Sequence, residues 1–158
     1  MSIIIDGMDQ NSTNLPHCKQ MQKSDSNLWH FRTHLTGCIV HGHQSYVFLD
    51  FMQWPHDPNL TIQVLCQVIF DHFNNLVTKS QPLPRKLFLQ LDNTARENKN
   101  RCVLSFLSLH VHKGIFEEVE LGFLMVGHTH EDVDAMFGNF GKWLRIHNAY
   151  TVPGNVIL

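Results

Sequence analysis

Two histidines and three carboxylates fall within seven residues, His128-Thr129-His130-Glu131-Asp132-Val133-Asp134. Two more acids end apolar runs elsewhere: Asp6 follows Ile3-Ile4-Ile5, and Asp92 follows Leu87-Phe88-Leu89-Gln90-Leu91. Acids on separate elements suit a hard divalent cation, because Mg²⁺ takes oxygen ligands in octahedral geometry and keeps several waters. Two such ions roughly 4 Å apart activate a water or hydroxyl and stabilise the leaving oxygen of a phosphodiester. The expectation is that the fold gathers Asp6, Asp92 and one acid of the 128–134 stretch around Mg²⁺ or Mn²⁺.

Each of these residues also has an ordinary structural explanation. Asp6 can be a strand-end acid opening a turn with Gly7, and Asp92 can form an Asx turn with Asn93. Thr129 to Asp132 has the spacing of a capping box, with Thr129 as N-cap and Asp132 at the third helical position. Glu131 suits the positive start of a helix. Asp134 lies past the capping positions, beside the apolar stripe and one turn on from His130, so it is the third acid favoured here. Glu131 and Asp132 are its alternates. His128 and His130 can ligate metal or hydrogen-bond the carboxylates and orient them.

The elements that would position these groups follow from periodicity. Residues 2–6 read as a central strand, since three consecutive isoleucines need cover on both faces. Residues 28–43 and 45–51 read as an antiparallel hairpin turning at Gly42. Residues 59–78 have helical spacing at Leu65, Ile69, Phe73 and Leu76, with Asp57 or Asn59 as cap. Residues 86–91 form a strand ending at Asp92. Residues 101–113 form a helix stopped by Gly114, with Cys102 read as core. Residues 119–126 form the last strand, and Thr129 opens a third helix that Gly138 and Gly141 weaken. The order is β-β-β-α-β-α-β-α. Its later alternation implies parallel strands, whose polar sites collect outside the carboxyl ends. Asp6 joins Asp92 there if the first strand runs parallel to, and beside, the Asp92 strand.

The bulk properties bound the function. The chain has 158 residues, enough for one domain with a real core. It is read as a single domain over 1–158, taken from a longer protein. No apolar run has membrane-spanning length, so no membrane partner is expected. The four cysteines lack a CxxC pair, which suggests reduced thiols inside the cell and argues against a zinc finger. A formal net charge of −2 shows no basic face of the kind that nucleic-acid binders carry.

Three strings are familiar as a set: residues 5–10 (Ile-Asp-Gly-Met-Asp-Gln), Leu91-Asp92-Asn93 with the polar run 96–101, and Val126 to Asp134 with its VGHTHEDVD signature. They resemble an uncharacterised, transposon-associated domain family, and the resemblance covers nearly the whole chain. That pattern is in turn similar to the ribonuclease H-like catalytic domain of DDE transposases and integrases. The resemblance implies an α/β, ribonuclease H-like fold with a mixed five-stranded sheet and flanking helices. It implies catalytic, metal-holding acids at Asp6, at Asp92 and, in place of the usual glutamate, at Asp134. It further implies phosphodiester hydrolysis or strand transfer on DNA, a homo-oligomeric assembly and a nuclear setting. A domesticated domain that binds protein or DNA without cutting is the non-enzymatic alternative. A further alternative rests on Gly127-His128-Thr129-His130, which resembles the GHTH string of calcineurin-like metallophosphoesterases. Their other motifs are missing here, and Asp6-Gly7-Met8 lacks the histidine of the first.

Overall fold

The computed structural model describes residues 1–9, 13–18, 27, 29–124 and 132–149. Five strands form one mixed sheet: β1 (Ser2–Gly7), β2 (His34–Val40), β3 (Gln44–Asp50), β4 (Lys86–Leu91) and β5 (Glu118–Phe123). Three helices follow in the expected places: α1 (Pro58–Thr78), α2 (Arg101–His112) and α3 (Asp132–Leu144). The strand order is β3-β2-β1-β4-β5, with β1 at the centre. β1 pairs antiparallel with β2 and parallel with β4, and β4 pairs parallel with β5.

The triple isoleucine explains why β1 is central. Ile3, Ile4 and Ile5 are all buried, and successive side chains on a strand point to opposite faces. Ile3 and Ile5 join Leu87, Leu89 and Leu91 in a core with Val64, Leu65 and Val68 of α1 and Val103 and Leu107 of α2. α3 covers the other face over β1 and β2, where Met136 and Phe137 crowd against Gly37. The sheet is therefore sandwiched between helices, as a hydrophobic central strand requires.

Local signals set the helix starts. The Asp57 carboxylate accepts from the Asn59 N–H at 2.8 Å, with Pro58 in the first turn, so Asp57 is the cap of α1. Asn100 caps α2 through the N–H groups of Cys102 (3.0 Å) and Val103 (3.2 Å).

Several boundaries and placements differ from expectation. β2 begins at His34 rather than at residue 28, and residues 29–33 are irregular apart from an isolated bridge between Leu15 and Phe31. Cys102 is exposed, not core. Only Val103 and Leu107 of α2 are buried, while Leu104, Leu109 and Val111 face outward. Helix α3 runs unbroken through Gly138 and Gly141, both on its open side. The expected start of α3 at Thr129 lies outside the described residues. Among the described residues, no helix is long and apolar enough to cross a membrane.

Candidate functional site

The parallel pairing of β1 with β4 places Ile5 opposite Leu91, so the next residues, Asp6 and Asp92, leave the same edge of the sheet. Both line one cleft of about 410 Å³ at the carboxyl ends of these strands. By the pleat, both alternate with core-facing residues and lie toward the α3 side. Asp134, in the first turn of α3, is half-buried.

The electrostatics tie the three acids together. The Asp6 carboxyl is pushed up from 3.8 to about 6. Burial is the main cause, and the negative charges of Asp92 and Asp134 add to it. The Gly7 N–H donates to Asp6 Oδ1 at 2.8 Å and pulls the other way. This bond is also the local turn contact that a strand-end aspartate makes with a following glycine. On Asp92, Oδ2 accepts from the Thr94 hydroxyl at 2.7 Å, so the partner is Thr94 and not Asn93.

Among the described residues, four acids line the cleft. Its lining includes Asp6, Asp9, Asp92 and Glu97, and neither lysine nor arginine is among the described residues lining it. Lys99, close in sequence, turns away: Nζ donates to Asn93 Oδ1 at 3.3 Å and sits 5.2 Å from the centre of the Phe123 ring. Asn98 is buried and accepts from the Thr61 hydroxyl at 2.8 Å, tying the 93–100 loop to the start of α1 and fixing that wall. Such a site concentrates negative charge where water is partly excluded, which favours a bound cation.

The remaining sequence candidates fall elsewhere. Asp132 opens α3 with a largely exposed side chain and meets His41 Nε2 at 3.3 Å. His41 also contacts Ser2, at the opposite end of β1 from Asp6. His128, His130 and Glu131 lie outside the described residues.

The same cleft is lined by two residues of a group that sequence reasoning missed. His34 Nδ1 and His56 Nε2 lie 3.2 Å and 3.3 Å from the same Asp50 oxygen, Oδ2. Among the described residues, this trio brings its ligand atoms within 4.8 Å of one another, and the three aspartates do not. Burial, then the facing His56 ring, holds His34 below the usual imidazole range, against the pull of Asp50. The missed signal is the hairpin register. Stepping outward from the Val40–Gln44 pair brings His34 opposite Asp50.

Fold and site together define an α/β domain with an acidic cleft at the carboxyl edge of its central strands. Residues 23–155 match a family model described as Domain of unknown function (DUF7869), and the chain belongs to that family. The matched stretch contains Asp92 and Asp134, while Asp6 and the central strand β1 precede it. No curated protein and no solved structure matches the chain significantly.

Proposed function

We propose that this chain is a ribonuclease H-like domain of a transposase-like protein, and that its cleft carries out metal-dependent phosphodiester hydrolysis or strand transfer on DNA. The observation that carries the reading is the meeting of Asp6 and Asp92 from neighbouring parallel strands in a cleft free of lysine and arginine among the described residues, with Asp134 close enough to press on Asp6. The element order β-β-β-α-β-α-β-α and the mixed five-stranded sheet with flanking helices support the fold assignment, since the resemblance implies both.

The residues fit Mg²⁺ or Mn²⁺. All three are hard oxygen donors, and a cation beside them would favour the charged form of the Asp6 carboxyl, which burial and then Asp92 and Asp134 hold above its ordinary range. Asp6, Asp92 and Asp134 would hold the metal jointly, as acids on three separate elements that influence one another's charge. When bound, such ions supply an activated water or hydroxyl and neutralise charge on the leaving oxygen. The chain's own contribution is to hold the donors. β1 and β4 fix Asp6 and Asp92 on a rigid sheet edge, Thr94 orients one Asp92 oxygen, and the first turn of α3 carries Asp134, which acts on Asp6 electrostatically but is not among the residues lining the cleft. His128 and His130 are assigned a supporting role beside the acids, with Glu131 as a further donor. Asp132 is left to its contact with His41.

The test is cleavage of a labelled DNA oligonucleotide by the full chain in Mn²⁺. Cleavage that disappears in Asp92→Asn supports the reading. Metal-dependent cleavage that survives unchanged in Asp92→Asn contradicts it. Metal binding without cleavage would favour the non-catalytic, DNA- or protein-binding alternative.

A further inference from the structure

The His34–Asp50–His56 trio differs in chemistry from the aspartates with which it shares the cleft. His34 begins β2, Asp50 ends β3, and His56 lies in the segment that leads into α1. One feature of the trio is poorly explained by hydrogen bonding alone. His56 Nε2 lies 3.3 Å from Asp50 Oδ2, yet it makes no hydrogen bond of acceptable geometry and is sealed from solvent. A buried ring nitrogen without a partner is costly. Both imidazoles converge on Asp50 Oδ2, since Oδ1 already accepts from the Met52 N–H at 2.8 Å.

The surroundings are built to hold this arrangement. Met52 adopts a positive φ of 59°, unusual for a residue with a side chain. The Phe51 N–H is bound by Gln53 Oε1 at 2.6 Å. Together these contacts turn the chain back after β3, so that His56 returns over His34, with ring centres 4.2 Å apart. On the far side of the His34 ring, Nε2 faces Gly7, where an added Cβ would lie only 3.0 Å away. The trio is thus packed from both sides, and its carboxylate is oriented by a backbone donor, as metal-ligating carboxylates usually are.

We propose that His34, Asp50 and His56 form a second metal site, one that takes a borderline transition-metal ion of the Zn²⁺ class. Two imidazoles and one carboxylate make a donor set suited to Zn²⁺ and its neighbours, whereas an all-oxygen set suits Mg²⁺. The distances agree with that assignment. Ligand bonds of about 2.0–2.1 Å in a tetrahedron place neighbouring donor atoms about 3.3 Å apart, and the two nitrogen-to-oxygen separations are 3.2 Å and 3.3 Å. Three protein ligands leave one coordination position open. His34 and His56 line the same cleft as Asp6 and Asp92 while Asp50 stands behind them, so that position faces the cleft. A bound ion would pin the 51–57 segment to the sheet edge and fix the mouth of the cleft. The inference does not depend on the aspartates holding metal.

The test is a titration of the full chain with Co²⁺, followed by visible d–d absorption, with competition by Zn²⁺. The expected result is one tight equivalent that Zn²⁺ displaces, is retained in Asp92→Asn and weakens by more than about tenfold in His56→Ala. Asp50→Asn, which preserves shape, should weaken it similarly. Thermal midpoints give a second readout that does not need a stable variant: Zn²⁺ should raise the midpoint of the wild type and of Asp92→Asn. Absence of a tight equivalent in the wild type, or equal affinity in His56→Ala, would overturn the proposal. So would loss of the tight equivalent in Asp92→Asn with retention in His56→Ala.

Discussion

Replacing Asp6 by asparagine should stabilise the metal-free protein at neutral pH and leave it unchanged in acid. The native carboxyl is raised from 3.8 to about 6, mainly by burial and then by Asp92 and Asp134. Below about pH 3.8 the group is protonated in both the folded and the unfolded chain, so it contributes no difference. As pH rises from there to about 6, the unfolded chain ionises first and binds fewer protons than the native state. Native stability therefore falls across that window and levels off above it. At about 1.4 kcal/mol per pH unit the full effect is about 3 kcal/mol. Asp6 is only half-buried, and solvent screening reduces this to about 1–2 kcal/mol. Asparagine keeps an oxygen that can accept from the Gly7 N–H, so the local turn contact survives. Urea denaturation of both proteins at pH 4, 6 and 8 reads the effect. The difference should be near zero at pH 4 and should favour Asp6→Asn by about 1–2 kcal/mol at pH 8. Saturating Mg²⁺ should shrink it, because the wild type offers one more carboxylate for the ion to neutralise. An Asp6→Asn protein that is less stable at pH 8, or a difference independent of pH, would refute the electrostatic reasoning.

Three further outcomes probe the frame around the cleft. Gly37→Ala should destabilise by about 1–3 kcal/mol in thermal or urea unfolding, since the new methyl collides with Met136 and comes within 2.8 Å of Phe137 Cζ. The same substitution lifts α3 away from β2 and should weaken any metal affinity that depends on Asp134. Asn100→Ala should cost about 1 kcal/mol by removing the acceptor for two N–H groups at the start of α2. Leu89→Ala, in the central core between the helices and the sheet, should cost about 2–5 kcal/mol by chemical denaturation, with a cavity left behind.

Much of this arrangement was legible in the sequence because its signals were local. Ile3-Ile4-Ile5 could be satisfied only by a strand covered on both faces, and that put β1 in the centre. The strand–helix alternation after residue 58 implies parallel strands, and Asp6 and Asp92 reach one edge because β1 also pairs parallel with β4, a condition the sequence leaves open. Cys102 was misread because α2 is apolar nearly all round. With Leu104, Leu109 and Val111 as hydrophobic as Val103 and Leu107, periodicity does not tell which side meets the sheet. The start of β2 was misread because Trp29 and Phe31 have strand-like chemistry yet pack on the surface, edge to face at 5.8 Å. The His34–Asp50–His56 cluster escaped notice for a different reason. Its members are distant in sequence and meet through a cross-strand pair and a turn, and the Pro55-His56-Asp57-Pro58 stretch reads only as a break in pattern. Asp132 shows the converse. Its place in a dense acidic motif suggested a ligand, while the helix start directs it to His41.

The most direct test of the central claim is Mn²⁺ binding by the full chain, read by electron paramagnetic resonance, in wild type, Asp6→Asn, Asp92→Asn, Asp134→Asn and His56→Ala. A shared aspartate site predicts that each aspartate substitution weakens Mn²⁺ affinity by roughly tenfold or more, the scale on which even outer partners of a metal site act, while His56→Ala keeps a site of wild-type affinity. Wild-type affinity in Asp92→Asn would contradict the account, because Asp92 would then be a turn residue at the edge of an acidic cleft and not a ligand.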